Sequence, residues 1–559
     1  MESKAVPSDA KQSTYGTHRV SNQPPPLGSP NLALYPALRD ALIREGGGWG
    51  VDEVTAFGAV CASPEVQYWS ELADRNRPVL RTHDRYGHRI DEVEYDPSYH
   101  RLMALAIGNG LHAAPWRDRR PGAHVVRAAK VSVWADQAIL CPIWMTYAAI
   151  PALRHSPDLA AVYEPSLTSH TYVPGLSTPS AKTGITAGMS MTEKQGGSDL
   201  RALTTKAIPN SDGSFSITGH KWFTSAPMSD VFLVGAQAPG GISCFLVPRV
   251  LPDGSRNRMR LQRLKNKLGN HANASSEVEY DGATAWLVGE QGRGTSAIMD
   301  MVSMGRLDVA TGSATLMRVA LAHAIHHGLY RQAFGAALIE QPLMRNVLAD
   351  LAVEAEAATM VTMRLAGAAD NAIRGDSRES LFKRIGAPAT KYWLCKRTTQ
   401  YVGEAMECLG GNGYVEDSGM PRLLREAPLA SMWEGSANIN ALDTTLRALA
   451  DPDCVDVLLE DLAAASGADP RLDDHVKMLR GQLLDCDAPE YMSRSLAQSI
   501  CLGLQAALLV SHGNSAVTEA FLATRLRRSW GGVFGTLPAG LDLPTILQRA
   551  MPMVGAAEG

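Results

Sequence analysis

The sequence predicts a mainly α protein with a β domain inserted between two helical regions. Three observations lead there. Apolar residues recur at spacings of three and four from about residue 32 to 185, as in Leu102, Leu105 and Ile107 followed by Leu111. From 186 to 294 the pattern becomes short alternating or apolar runs: Ser214-Phe215-Ser216-Ile217, then 231–234, 244–247 and 276–280. Turns at Asp212-Gly213 and Pro239-Gly240-Gly241 punctuate them. Helical periodicity returns in the Ala-, Leu- and Met-rich stretch 295–450, which reads as a bundle of long helices. It continues through 451–559, with breaks at Ser466-Gly467, Gly531-Gly532 and Pro538. Ahead of all this, residues 1–31 are polar and carry Pro24-Pro25-Pro26, which predicts an extended arm. Its later part, Thr17 to Asn31, is free to lie along a partner subunit.

Bulk properties narrow the function. The chain has 559 residues, 45% hydrophobic and 20% charged, so it can bury large cores without disulfides or metal. Its formal net charge of -4 excludes a generally basic nucleic-acid coat, and any DNA binding must come from a local patch. Eight scattered cysteines without a CxxC read as free thiols in a reducing cytoplasm. The longest apolar run, Ile139 to Leu153, is shorter than a membrane span of roughly 20 residues. His323, His326 and His327 share a helix face but lack a third ligand type, so no metal site is expected.

Five strings carry the chemistry. In 191–199, MTEKQGGSD, paired glycines let a backbone turn close to a ligand, with hydroxyls from Thr192 and Ser198. In 220–225, HKWFTS, Trp222 offers a flat face to a planar ring, beside Thr224 and Ser225. Arg331-Gln332-Ala333-Phe334-Gly335 with Gln341 supplies a phosphate-binding guanidinium and an aromatic ring at a helix end capped by glycine. The string 407–414, ECLGGNGY, is a turn rich in positive φ. In 432–439, MWEGSANI, Glu434 stands beside a glycine at a helix break. Alone, each is also what a core tryptophan, a helix cap or a plain surface loop looks like.

Together, in this order, they resemble the acyl-CoA dehydrogenase flavoprotein superfamily over roughly residues 100–447. The strings match its TEP-x-x-GSD loop, K-x-W-I-T-N strand, R-x-x-FG element, LGGNGY turn and I-Y-EG-T motif. The resemblance implies a helical, β-barrel-like and helical-bundle body that binds FAD. Met191, Thr192, Ser198, Trp222, Thr224 and Ser225 would hold the flavin and pyrophosphate. Arg331, Phe334 and Gln341 would reach the FAD of a neighbouring subunit, and Gly410 and Gly411 its adenosine. Position 407, usually Gln in the family, is Glu407 here. Glu434 matches the common catalytic base. An isovaleryl branch keeps its base earlier on a helix, where this chain has Gly305 followed by Arg306.

Other strings, among them QPLMR, PDGSRN and the C-terminal extension 451–559, resemble the family's bacterial adaptive-response branch. That resemblance implies a homotetramer, duplex-DNA binding with little sequence preference, and protection of DNA in the alkylation response, with weak or vestigial acyl-CoA dehydrogenase activity. The substrate would be an acyl-CoA or a small alkylating agent. From Arg447 onward there are nine Lys and Arg against fourteen Asp and Glu, a net of -5, so the whole extension is no DNA-binding surface. Its last part is basic: residues 491–559 carry a net of +2. Arg525, Arg527 and Arg528, with Arg447, are the candidate phosphate contacts. The alternatives are an ordinary acyl-CoA dehydrogenase using Glu434, and a purely structural assembly protein without flavin.

Overall fold

A computed structural model describes residues 20–28, 30–134, 139–484, 488–527 and 531–553. Residues 1–19 of the arm and the candidate Arg528 lie outside these.

The N-terminal region is helical: α1 (Pro36–Leu42), α2 (Val51–Cys61), α3 (Pro64–Arg75), α4 (Pro97–Gly108), α5 (Ala114–Arg117), α6 (Ala123–Val133), α7 (Leu140–Leu153) and α8 (Pro157–Leu167). Proline at the first turn and side-chain caps such as Ser63 and Asp96 set several starts, as expected where the first N–H groups lack helical partners. One departure from the all-helical expectation is a hairpin, β1 (Val79–His83) and β2 (Arg89–Glu94). Its turn is built by Asp84, whose Oδ1 accepts from the N–H groups of Tyr86 (2.8 Å) and His88 (2.9 Å), with Gly87 at φ +88°.

Seven strands make the middle domain: β3 (Ala187–Ser190), β4 (Lys206–Pro209), β5 (Phe215–Ser225), β6 (Val231–Ala238), β7 (Gly241–Pro248), β8 (Met259–Leu264) and β9 (Ser275–Val288). The pairing runs β6–β7–β9–β5–β4 and returns from Lys206 of β4 to Gln237 of β6, which closes a barrel. Phe215, Ile217, Phe232 and Phe245 fill its interior. Strand β3 adds parallel to β6, and β8 adds to β9.

Three long helices follow: α9 (Gly294–Tyr330), α10 (Pro342–Ile373) and α11 (Ser377–Glu407), which pack against one another and against α6 and α7. Between α9 and α10 lies a miniature hairpin, β10 (Gln332–Ala333) and β11 (Ala336–Ala337). The sequence suggested a glycine-capped helix end here. Instead Phe334 (φ +53°) and Gly335 (φ +84°) form a two-residue turn with both φ positive, the geometry that suits a tight hairpin. Short helices α12 (Met420–Glu426) and α13 (Ala437–Leu442) bracket the Glu434 loop.

The C-terminal domain comprises α14 (Pro452–Ala463), α15 (Pro470–Leu484), α16 (Pro489–His512), α17 (Ser515–Phe521) and α18 (Leu543–Ala550). Helix α16 is long and apolar enough to cross a membrane, but it is largely buried against α11, α10 and α15 as a core helix. Ion pairs dock the domain: Arg525 to Asp350 (2.5 Å) and Glu354 (2.9 Å), Arg549 to Glu356 (2.7 Å), and Asp461 to Arg364 (3.1 Å) and Arg378 (2.8 Å). The seven described cysteines are buried thiols.

Candidate active site

The glycine-rich loop follows directly from β3. A Cβ at Gly197 would stand 2.3 Å from Thr192 Oγ1, so only glycine allows the loop to fold back this tightly. The Trp222 N–H on β5 donates to the Thr192 carbonyl (2.8 Å) and ties the loop to the barrel. Met191 reaches across to Gly235 on β6, and Ile298 of α9 meets the same glycine. Ser198 is exposed, and Trp222 is half-buried with the Lys265 ammonium 3.3 Å from its ring centre. Thr224 is fully buried and its hydroxyl is taken by Ser190 (2.5 Å); Ser225 pairs with Ser275 (3.2 Å).

Sequence reasoning assigned no role to Glu193, yet it organises this loop. Its carboxylate is sealed inside and accepts from Lys221 Nζ (2.9 Å), the Thr204 N–H (2.7 Å) and the Thr205 N–H (3.1 Å). Burial pushes its acidity down, but hydrogen bonds from Thr205, Lys221 and Thr204 win and hold it well below the usual carboxylate range. Burial brings Lys221 to about 8 against the pull of Glu193. The loop's glutamate charge is thereby neutralised away from its open side, which suits an anionic pyrophosphate.

Glu434 lies beside Gly305, about three turns into α9. It adopts φ +54°, a strained value for a non-glycine residue. A Cβ at Gly305 would meet both Glu434 Oε2 and Trp144 Cζ3 at 2.8 Å. Oε2 is shut off from water without a hydrogen-bond donor. Burial raises its carboxyl to about 7, although Lys391 and Arg306 pull it back. Arg306 is itself ion-paired to Asp443. Lys391, the second residue that the sequence did not flag, is a lone cation in the apolar 385–395 stretch of α11.

The second predicted cluster sits elsewhere. Gly305 and Tyr330 stand about 38 Å apart along α9 at 1.5 Å per residue. The 331–335 hairpin is at that far end. Gln341 Nε2 donates to the Ala333 carbonyl (3.0 Å), and Phe334 is wholly exposed. Glu407, Gly410 and Gly411 are exposed at the end of α11. The arm joins both pieces. Asn22 accepts from Arg331 (2.6 Å) and exchanges two hydrogen bonds with Gln332, while Asn412 donates to Gln23 (3.1 Å). The described arm thus lies along its own chain. Within this chain the site residues therefore form two groups, one towards each end of α9.

The DNA candidates need one correction. Arg525 has no exposed side-chain surface and is locked between Asp350 and Glu354, so it is no phosphate contact. A basic Arg-Leu-Arg-Arg string reads as a surface, but its first arginine is a core ion-pair partner. Arg527 and Arg447 are exposed, the latter 3.4 Å from Asp443.

These features define a class: a flavin-binding body of the acyl-CoA dehydrogenase type. Three family models match, the adaptive response protein AidB N-terminal domain over 22–174, the acyl-CoA dehydrogenase middle domain over 188–283 and its C-terminal domain over 292–449. AidB of Escherichia coli (strain K12) is 42% identical over 92% of this chain and 99% of its own. The crystal structure of Caenorhabditis elegans ACDH-11 in complex with C11-CoA superposes with a TM-score of 0.83 at 26% identity, covering 93% of each chain. An FAD-complexed acyl-CoA dehydrogenase from Bacillus anthracis shares the fold, with a TM-score of 0.65 at 18% identity over 86% of this chain and 84% of that one. The chain belongs to the acyl-CoA dehydrogenase family, in the branch that carries the AidB N-terminal domain. FAD is the cofactor expected of that family.

Proposed function

We propose that this protein is a cytoplasmic AidB-like flavoprotein that oxidises an acyl thioester, with Glu434 as the base, and that its tetramer also binds duplex DNA in an alkylation response. One observation carries the first part. The carboxyl of Glu434 is poised at about 7, with Oε2 unpartnered against the bare Cα of Gly305. A base so placed takes an α-proton at neutral pH without first giving up a hydrogen bond. Bound FAD would supply the acceptor for the β-hydride. Met191, Thr192, Ser198, Trp222, Thr224 and Ser225 form its holding group in this reading. Arg331, Phe334, Gln341, Glu407, Gly410 and Gly411 serve a neighbouring subunit's FAD, which is why they lie at the far end of α9. The C11-CoA carried by the C. elegans relative supports acyl-CoA as the substrate class.

The test is anaerobic bleaching of the bound flavin by a panel of acyl-CoAs. Bleaching that disappears in Glu434→Gln supports the assignment, and bleaching that persists refutes it.

The DNA reading is favoured by the match to an adaptive-response domain and by the exposed Arg447 and Arg527, with Arg528 as the third candidate. Binding of random duplex DNA is titrated against salt. Each lost phosphate contact lowers the slope by about 0.9. No binding at low salt, or unchanged slopes in Arg447→Ala and Arg527→Ala, refutes it and leaves an ordinary dehydrogenase.

A further inference from the structure

Glu434 sits where a non-glycine residue does not settle unaided, so something must hold the 433–435 turn. Lys391 does this from α11. Its Nζ donates to the carbonyl oxygens of Trp433 and Gly435, each at 2.6 Å. The two carbonyls flank Glu434, so the ammonium straddles the residue that carries the base. Arg306 Nε adds a longer contact to the Glu434 carbonyl (3.4 Å) from α9. Asn440 Nδ2 donates to the Gly435 carbonyl (2.7 Å) from α13.

Lys391 is fully buried, its hydrogen bonds go to backbone carbonyls, and it makes no ion pair among the described residues. An unpaired buried ammonium is costly, and a neutral donor would satisfy the carbonyls alone. The charge therefore needs a reason. The charged and titratable groups around it are Glu434, Arg306 with its Asp443, and the Cys395 thiol, while Glu434 itself also faces the Cys141 thiol. Arg306 is answered by Asp443, which leaves Lys391 as the cation set against Glu434.

We propose that Lys391 is a positioning residue: it fixes the turn that aims Glu434 and supplies the positive charge against which that carboxyl ionises. This rests on Glu434 being the base. Burial also lowers the basicity of Lys391 itself, in keeping with a cation held away from water.

The test separates charge from hydrogen bonding. Lys391→Gln keeps an amide donor without charge, Lys391→Met removes both, and Lys391→Arg restores the charge. Folding and flavin content of the holoenzyme are checked first. The Glu434 carboxyl is then titrated by isotope-edited infrared spectroscopy, its band identified by loss in Glu434→Gln. The expected result is a midpoint raised by about one pH unit or more in the Gln and Met variants, with recovery in Arg. Flavin bleaching at high pH slows about tenfold or more in Met and less in Gln. A midpoint within a few tenths of the unsubstituted protein in a folded variant overturns the proposal. Should neither variant fold, the 15N-lysine spectrum of the unsubstituted protein decides: a Lys391 ammonium at pH 7 upholds it, and a neutral amine overturns it. Undiminished bleaching in Glu434→Gln would defeat the base assignment separately, because the carboxyl titration does not depend on turnover.

Discussion

Replacing Arg525 by methionine tests how the C-terminal domain is held. In the folded chain its guanidinium contacts Asp350 at 2.5 Å and Glu354 at 2.9 Å, and none of the three side chains is more than 1% exposed. Arg397 reaches Glu354 at 3.4 Å, and the Gly535 N–H donates to Asp350 at 2.9 Å. Removing one partner of such a pair strands buried charge and costs about 3–5 kcal/mol. The sign with pH then follows. Burial pushes Glu354 up, but Arg397 and Arg525 more than offset this and hold it below its ordinary value. Its contribution is therefore present above the ordinary carboxylate range and lost as pH falls through the lowered folded value. Without Arg525 burial prevails, Glu354 takes up a proton on folding, and the penalty grows as pH rises. The deficit of Arg525→Met should be largest near pH 8 and shrink towards pH 5. Hydrogen exchange over 515–550, read with thermal melting at both pH values, checks it. A variant that melts like the unsubstituted protein, or a deficit independent of pH, refutes the reasoning. A lower salt slope for DNA at unchanged stability would restore Arg525 as a phosphate contact.

Four further outcomes follow from the same geometry. Flavin bleaching should rise with pH and level off above about 7, where Glu434 is ionised. Because burial raises that carboxyl in the folded state, its penalty is absent below the ordinary range and complete above pH 7. Glu434→Gln should therefore be more stable at pH 8 by up to about 3 kcal/mol and level near pH 4, by denaturant midpoint at fixed FAD. Breaking the sealed pair with Lys221→Met should cost about 3–5 kcal/mol and release FAD, measured as flavin absorbance after gel filtration. Phe334→Asp, at a fully exposed turn position, should leave the monomer fold intact but lower both assembly size and flavin retention, by sedimentation velocity.

Periodicity made the order of helices and strands legible, because burying one face imposes a repeat on local sequence. The β1–β2 hairpin escaped it: Arg89 to Glu94 is mostly charged, and its turn depends on two bonds to Asp84. The loop residues and Glu434 stood out as candidates because glycine pairs and an acid beside a glycine are rare enough to be noticed in order. Arg525 was misread since its acidic partners lie on α10, 171 residues away for Glu354. Lys391 was silent for a different reason. Its partners are backbone carbonyls, which leave no mark in a sequence.

The geometry around Gly305 also relates the two base positions of the family. A side chain grown from Gly305 would start 2.8 Å from Glu434 Oε2. Two carboxylates cannot share that space, and one position must be empty for the other to be filled. This chain fills the loop position at the price of a strained backbone, φ +54°. Moving the acid to the helix should relieve that strain, because glycine accepts positive φ readily and saves of order 1 kcal/mol or more at the loop. The exchange Gly305→Glu with Glu434→Gly should then retain flavin bleaching by acyl-CoA within about a hundredfold of the unsubstituted protein. Gly305→Glu alone should fare worse than the exchange, since its carboxylate would meet that of Glu434 and one of them must stay protonated. Single-turnover bleaching of all three proteins at pH 8 measures this. An exchanged protein no more active than Gly305→Glu alone would mean that the two positions do not aim a carboxyl at the same point.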